Sequence, residues 1–368
     1  MDLKRVLICG FTENQGGMES YIMEIYRHCD RNTLQFDFLN FHAFEIAYTE
    51  EIESLGGNIY YIPMKSIDYK GHYKALDTLF SENKYVGVYY QCNNKLVSLD
   101  VFKYAKKYGV SKRVIHSHNS AQKQNAFIHQ MREKFTELRM DKYVTDYFAC
   151  SEEAGKWMFG NREFTIIKNS VDTNIFYYNE VTRSQIQKKY GLEGKIVVGT
   201  VGRLVNSKNP KFMLDIFDSL QKKNTEAVFL HVGNGELMDI LLQVREQYEW
   251  KDKYLFVGNK RNVADYMNAM DVFILPSIHE GIPIVLVEAQ APGLQCLVAD
   301  NITQTCDLTG NMEFLPIQDS ADIWAEKIIE LASKRRKSEN EKIQSAGYDI
   351  VKLSKQIEAF FREDKHAE

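Results

Sequence analysis

The sequence predicts two successive α/β domains, each a parallel sheet with helices on both faces. Three observations lead to that fold class. At 368 residues the chain exceeds what one hydrophobic core usually serves. Short apolar runs, several ending in glycine, alternate with stretches of helical spacing along nearly the whole length. A polar stretch, residues 177–194, interrupts that rhythm once, and the alternation then restarts.

Residues 5–10 are an apolar run closed by Gly10, as expected of a buried parallel strand. Phe11 to Gly17 form a loop, and residues 18–29 follow with helical spacing at Tyr21, Ile22, Ile25 and Tyr26. Residues 36–39, 58–62, 85–90, 113–116, 147–150 and 165–167 are the further strand candidates of the first half. The polar stretch holds one helix-like piece, residues 183–190. Strand candidates then resume at 195–200, 227–233, 254–258, 272–275, 295–299 and 313–315. A last helix, residues 349–361, comes after the second sheet is complete. In such domains strand C-termini and helix N-termini converge, and ligands bind there.

A 44% hydrophobic and 26% charged composition with net charge -4 describes an ordinary globular chain. It argues against a dedicated nucleic-acid binder. The charge is uneven, however: residues 59–144 carry 15 lysines and arginines against 7 acids. Tyr69, Tyr73, Tyr104, Tyr108, Phe127 and Phe135 are interleaved with those cations. Solvated helix faces over core aromatics would produce this pattern; so would a surface that rests on anionic lipid headgroups. Six scattered cysteines form no C-x-x-C pair, so a reducing cytoplasm is the expected compartment. The N-terminal apolar run is too short for a signal peptide, and no segment reaches the length of a membrane span. Membrane association, if present, is expected to be peripheral, on the inner face of the plasma membrane.

Chemistry concentrates in two places. Gly202-Arg203-Leu204-Val205-Asn206-Ser207-Lys208 follows a strand and precedes a helix expected to begin at Pro210. An arginine at a strand end with a lysine five residues on can pin two phosphates at a helix N-terminus. A structural salt bridge would explain that pair equally well. Farther on, His279-Glu280-Gly281-Ile282-Pro283 leads into Ile284-Val285-Leu286-Val287-Glu288. Glu280 is expected at a loop tip and Glu288 inside a helix that starts around Pro283. Carboxylates accept hydroxyl hydrogen bonds well. Two cations and two acids in this order suit a ligand with both phosphates and hydroxyls, such as a sugar nucleotide. His116 and His118 lie two apart at a strand end, hence on one face. Core histidines are the ordinary explanation, and a metal pair would need a third ligand that is not evident nearby.

These motifs resemble the retaining glycosyltransferases of family four, which have the GT-B fold and bind the nucleotide sugar with G-R-x4-K and E-G-x-P-x4-E. The resemblance spans nearly the full length. It includes Gly16-Gly17-Met18-Glu19, Cys150-Ser151-Glu152, Asn169-Ser170-Val171-Asp172 and Val232-Gly233-Asn234-Gly235. Arg113-Val114-Ile115-His116-Ser117-His118-Asn119-Ser120 and Ser277-Ile278-His279-Glu280-Gly281 most resemble the capsule and exopolysaccharide branch. The resemblance implies two Rossmann-like domains facing an interdomain cleft. Residues 1–176 would form the acceptor-side domain, with the helix 349–368 packing back on it, and 177–348 the donor-binding domain.

By the same resemblance, Arg203 and Lys208 hold the diphosphate and stabilise the charge of the leaving nucleotide. Glu280 grips sugar hydroxyls and Glu288 the ribose. Gly281 and Ile282 belong to the same donor loop. Gly16 and Gly17 let backbone N–H groups approach the phosphate, and Gly233 allows close approach in the nucleotide pocket. His118 hydrogen-bonds the transferred sugar. No Asp-x-Asp pair occurs in the sequence, so no metal cofactor is expected. Ser170, Gln295 and Thr305 stand where the family more often has glycine, proline and glutamate.

The expected activity is transfer of a hexose or N-acetylhexosamine, UDP being the expected nucleotide, to a glycan acceptor, lipid-linked, in capsule or exopolysaccharide biosynthesis. The expected partners are the donor, the acceptor and an anionic membrane surface, with no nucleic acid. A non-hydrolysing sugar-nucleotide epimerase shares the two-domain fold and is one alternative. A catalytically silent partner of a polysaccharide assembly complex is another, although it would be expected to have lost one of the four charged groups.

Overall fold

A computed structural model describes residues 3–119, 127–280 and 283–363. Residues 120–126, together with Gly281 and Ile282, lie outside the described residues. The chain divides into two units, Met1–Ser170 with Ile350–Glu368, and Val171–Asp349. The boundary inferred from sequence lay at 176/177.

The first unit is a seven-stranded parallel sheet of β1 (Lys4–Cys9), β2 (Leu34–Asn40), β3 (Ile59–Tyr61), β4 (Tyr85–Cys92), β5 (Lys112–Ser117), β6 (Asp146–Ala149) and β7 (Thr165–Ile166). Their spatial order is β3-β2-β1-β4-β5-β6-β7. The second unit is a six-stranded parallel sheet of β8 (Val197–Val201), β9 (Val228–Val232), β10 (Tyr254–Gly258), β11 (Val272–Leu275), β12 (Gln295–Ala299) and β13 (Met312–Leu315), in the order β10-β9-β8-β11-β12-β13. Each sheet is the doubly wound kind, and each strand corresponds to an apolar run in the sequence. Strand order reverses between β1 and β4 in the first unit and between β8 and β11 in the second. Loops on the two sides of such a reversal part and leave a crevice at the strand C-termini.

Burial on both faces explains why the strands read as continuous apolar runs rather than as alternation. All seven residues of β2 are buried, including Asp37, which a polar pattern would have turned outward. Asp37 is tolerated because Arg5 pairs with it at 2.5 Å and the backbone and side-chain amides of Asn58 donate to it at 3.0 Å.

The last helix, Ile350–Arg362, belongs to the first unit. Its buried residues Ile350, Leu353, Ile357 and Phe361 form one stripe, each contributing about 1.5–3 kcal/mol on burial. Gly87 makes room for it: a Cβ there would come within 2.4 Å of the Phe361 ring. Two lysines finish the docking at the helix C-terminus. Lys4 Nζ donates to the Arg362 carbonyl at 2.6 Å, and the buried Lys112 donates to the carbonyls of Phe360 and Glu363. Cations at that end satisfy carbonyls that have no partner within the helix and complement its dipole.

In the second unit the helix Val263–Ala269 ends against two guanidiniums. Arg183 donates to the carbonyls of Asn268, Ala269 and Met270, and Arg336 to those of Met267, Asn268 and Met270. Arg183 also pairs with Asp271 at 2.6 Å. The polar stretch that interrupts the sequence rhythm is thereby tied to the second sheet.

Candidate functional site

In the second unit the loop after β8 is strapped to the loop after β9. Gly202 N donates to Val232 O at 3.0 Å, Leu204 N to Asn234 O at 3.0 Å, and Leu237 N to Leu204 O at 3.1 Å. So close an approach needs glycine. A Cβ on Gly233, whose φ is +134°, would lie 2.0 Å from Gly202 O, and one on Gly235 2.5 Å from Leu204 O. Packing of the two loops therefore accounts for Gly233 before any ligand is considered. The chain then makes a tight 3₁₀ turn, Asn206–Lys208, and reverses at Asn209 (φ +54°) before the helix Pro210–Lys223 begins. The helix starts at Pro210 as the sequence indicates. Lys208 closes the 3₁₀ turn just before it.

Beyond β11 the chain passes through the buried Pro276 and Ser277. Ile278 N donates to Ser207 O at 2.8 Å, and Asn301 Nδ2 donates to Ile278 O at 2.7 Å. These bonds bring the two charged motifs together. Lys208 Nζ meets Glu280 Oε1 at 2.5 Å, with side-chain exposures of 22% and 12%. Glu280 is thus a sheltered, paired carboxylate rather than a free loop tip. In such a pair the cost of desolvation largely cancels the attraction, so it adds little net stability and can be exchanged for another partner. Arg203 is exposed and, among the described residues, makes no hydrogen bond or ion pair. Glu288 is half-buried on the helix Ile284–Gln290, which Pro283 precedes as N-cap. Gly281 and Ile282 lie outside the described residues. Ser277 Oγ is buried without a partner.

In the first unit the corresponding strand ends are neutral. Gly10 (φ +97°) passes so close to β4 that a Cβ would lie 2.0 Å from Gln91 O. Gly16 is the N-cap of the helix Gly17–His28. A Cβ on Gly16 would come within 2.8 Å of Glu19 Oε2, whereas one on Gly17 would meet nothing within 4 Å. The buried Glu19 holds the loop from inside the first turn, accepting from Thr12 N at 3.2 Å and Thr12 Oγ1 at 2.8 Å.

His118 follows β5, and its backbone N–H donates to Cys92 O at 3.0 Å. Its Nε2 meets Gln91 Oε1 at 2.7 Å. With a carboxamide oxygen as acceptor, Nε2 carries the proton and Nδ1 the lone pair. The His116 ring lies 4.1 Å from that of His118, and Tyr21 from the helix Gly17–His28 stands edge-on to both. His116 Nδ1 meets the Tyr89 hydroxyl at 2.7 Å. Burial holds His118 down to about 3, opposed in part by the nearby Asn169, and holds His116 well below the usual histidine range. Although part of His118 is exposed, its Nδ1 is fully enclosed and lacks a partner, as do His116 Nε2, Gln91 Nε2 and Asn169 Oδ1. Near neutral pH His118 is therefore an uncharged imidazole, able to share a hydrogen bond but a poor proton acceptor.

Sequence reasoning missed Gln91, Asn301 and the anchoring part played by Glu19. Gln91 had one signal, an amide ending the apolar run Val88-Tyr89-Tyr90 of a buried strand. Among the described residues no group of three or more histidines, cysteines or acids has the arrangement of a metal site.

Comparison with known proteins adds to this geometry. Residues 182–349 match the family model described as Glycosyl transferases group 1. Over 360 residues the chain is 30% identical to the glycosyltransferase-family protein EpsF of Bacillus subtilis, covering 94% of this chain and 93% of that one. It is 29% identical over 213 residues to the UDP-Gal:alpha-D-GlcNAc-diphosphoundecaprenol alpha-1,3-galactosyltransferase of Escherichia coli, covering 54% of each. Among solved structures, Anabaena Alr3699/HepE, crystallised with UDP, superposes with a TM-score of 0.74 at 17% identity, covering 96% of this chain and 98% of that one.

Proposed function

Because the chain belongs to the family-four glycosyltransferases of the GT-B fold, we propose that it transfers a sugar from a UDP-sugar to a lipid-linked saccharide, with retention of anomeric configuration. The product would serve a capsular or extracellular polysaccharide. The observation that carries this reading is the meeting of Lys208 with Glu280, which brings the two charged loops of the second unit together. The Escherichia coli relative is named for a UDP-linked donor and a diphosphoundecaprenol-linked acceptor, which supports both choices. The full-length similarity to EpsF and to the Staphylococcus aureus capsular glycosyltransferase CapH supports the polysaccharide setting.

In the proposed reaction the donor diphosphate takes Lys208 from Glu280 and pairs with Arg203 as well. Glu280, released, accepts hydrogen bonds from sugar hydroxyls, and Glu288 from the ribose. Gly16 and Gly17 offer backbone N–H groups to the donor, and Gly233, Gly281 and Ile282 line its nucleotide. The acceptor hydroxyl approaches the anomeric carbon on the face from which UDP departs. The anomeric bond to the phosphate oxygen breaks, a bond to the acceptor oxygen forms, and the acceptor proton passes to the departing phosphate oxygen. Lys208 and Arg203 balance the charge that develops there, so the reaction needs no metal. His118, neutral, orients the transferred sugar.

The test is incubation of the purified chain with UDP-hexoses and a lipid-linked saccharide, reading free UDP and the anomeric configuration of the product. UDP release that depends on acceptor, with an α-linked product from an α-linked donor, is expected. A β-linked product would overturn retention, and epimerised donor formed without acceptor would favour the epimerase reading.

A further inference from the structure

The helix Phe127–Tyr143 of the first unit turns apolar side chains outward. Met131, Phe135 and Leu138 are 60%, 60% and 72% exposed. Their spacing of four and three residues sets them on one stripe, and Lys142 falls on the same line. Exposed Lys134 and Arg139 stand to either side, and the Arg139 guanidinium lies 4.9 Å from the centre of the Phe135 ring. The inward face is already filled, since Met140 and Tyr143 are buried in the core.

The surroundings are cationic as well. In the neighbouring helix Leu99–Lys107, Lys103, Lys106 and Lys107 are exposed, and Lys106 Nζ donates to Lys142 O at 2.9 Å. Nearby acids are engaged. Asp141 is held by Arg162 at 2.7 Å and by Tyr147 at 2.6 Å, Glu137 lies 3.8 Å from Arg162, and Asp77 is held by Lys107 and Tyr108.

We propose that this face docks on an anionic lipid bilayer, with Met131, Phe135 and Leu138 entering the headgroup boundary and Lys134, Arg139 and Lys142 meeting lipid phosphates. The proposal rests on the reading above that the acceptor is lipid-linked. Long cationic stems flanking a narrow apolar stripe suit an interface where the heads stay in water and the stems lie in hydrocarbon. Protein interfaces, by contrast, are depleted in lysine. No helix among the described residues is long and apolar enough to cross a membrane, so attachment at this face would be from one side.

Flotation of the full chain with phosphatidylcholine vesicles, with and without phosphatidylglycerol, tests it. Binding should require the anionic lipid, weaken with salt, and fall about tenfold or more in the double variant Phe135→Asp, Leu138→Asp. Ile240→Asp, at an exposed apolar residue of the second unit, should float like the parent. Circular dichroism melts check that each variant is folded. Because flotation requires no turnover, its failure is separable from failure of the transferase reading. Equal binding to both vesicle types would overturn the proposal. So would unchanged flotation of the double variant, or a dimer in sedimentation that the double variant abolishes.

Discussion

The two units place their candidate residues at the same topological position and equip it differently. In the first, the loops after β1 and β5 carry Gly10 and His118 and the end of β4 carries Gln91, a neutral set packed with aromatic rings. In the second, the loops after β8, β9 and β11 carry Arg203, Lys208, Gly233 and Glu280, a charged and partly open set. Both sheets reverse their strand order there, so the backbone leaves a crevice in each. Strand order sets where a ligand can bind, and the loop residues set what can bind. The charged set holds an ion pair that an anion could break by taking Lys208 from Glu280. The neutral set can only hold and orient.

The glycines are what the two positions share, and they give the largest expected effect. Gly10→Ala and Gly233→Ala should each destabilise the chain by about 3 kcal/mol, because both combine positive φ with a backbone collision. Urea melts measure this. An unchanged midpoint for either would break the parallel between the units.

Next come Lys208→Ala and Glu280→Ala, each expected to lower turnover at least about tenfold, ~1.4 kcal/mol. Near-normal transfer by both variants would remove the charged set from the donor site.

Acid should act on buried histidines of both units. His118 in the first and His231 in the second are each held down to about 3 by burial. Between that value and the ordinary ~6.5, the unfolded chain binds more protons, so stability is present above ~6.5 and is lost as pH falls toward 3. Each should cost about 1 kcal/mol between pH 6.5 and 5.5. Melts of His231→Leu across that range should show a shallower decline; an identical slope would mean that His231 titrates normally. Over the same range the turnover profile should lack an acid limb that disappears in His118→Gln.

The smallest expected effect is none. Turnover after EDTA treatment should be unchanged if Lys208 and Arg203 neutralise the departing diphosphate. Loss of turnover that Mn²⁺ restores would mean the charged set is incomplete by itself.

The sequence by itself determined the two doubly wound sheets, because strands buried on both faces must be apolar throughout and glycine must stand where loops turn tightly. It also showed the charged pairs, since Arg203 stands five residues before Lys208 and Glu280 eight before Glu288, each pair following an apolar strand. Tertiary structure alone decided that Lys208 and Glu280 meet, through Ile278 bonding to Ser207 across 71 residues of chain. It alone decided that Gln91 fixes the His118 ring, and that Met131, Phe135 and Leu138 face outward. Local spacing encodes what a segment can be. Which side chains share a partner or face solvent depends on contacts between segments that no local pattern records.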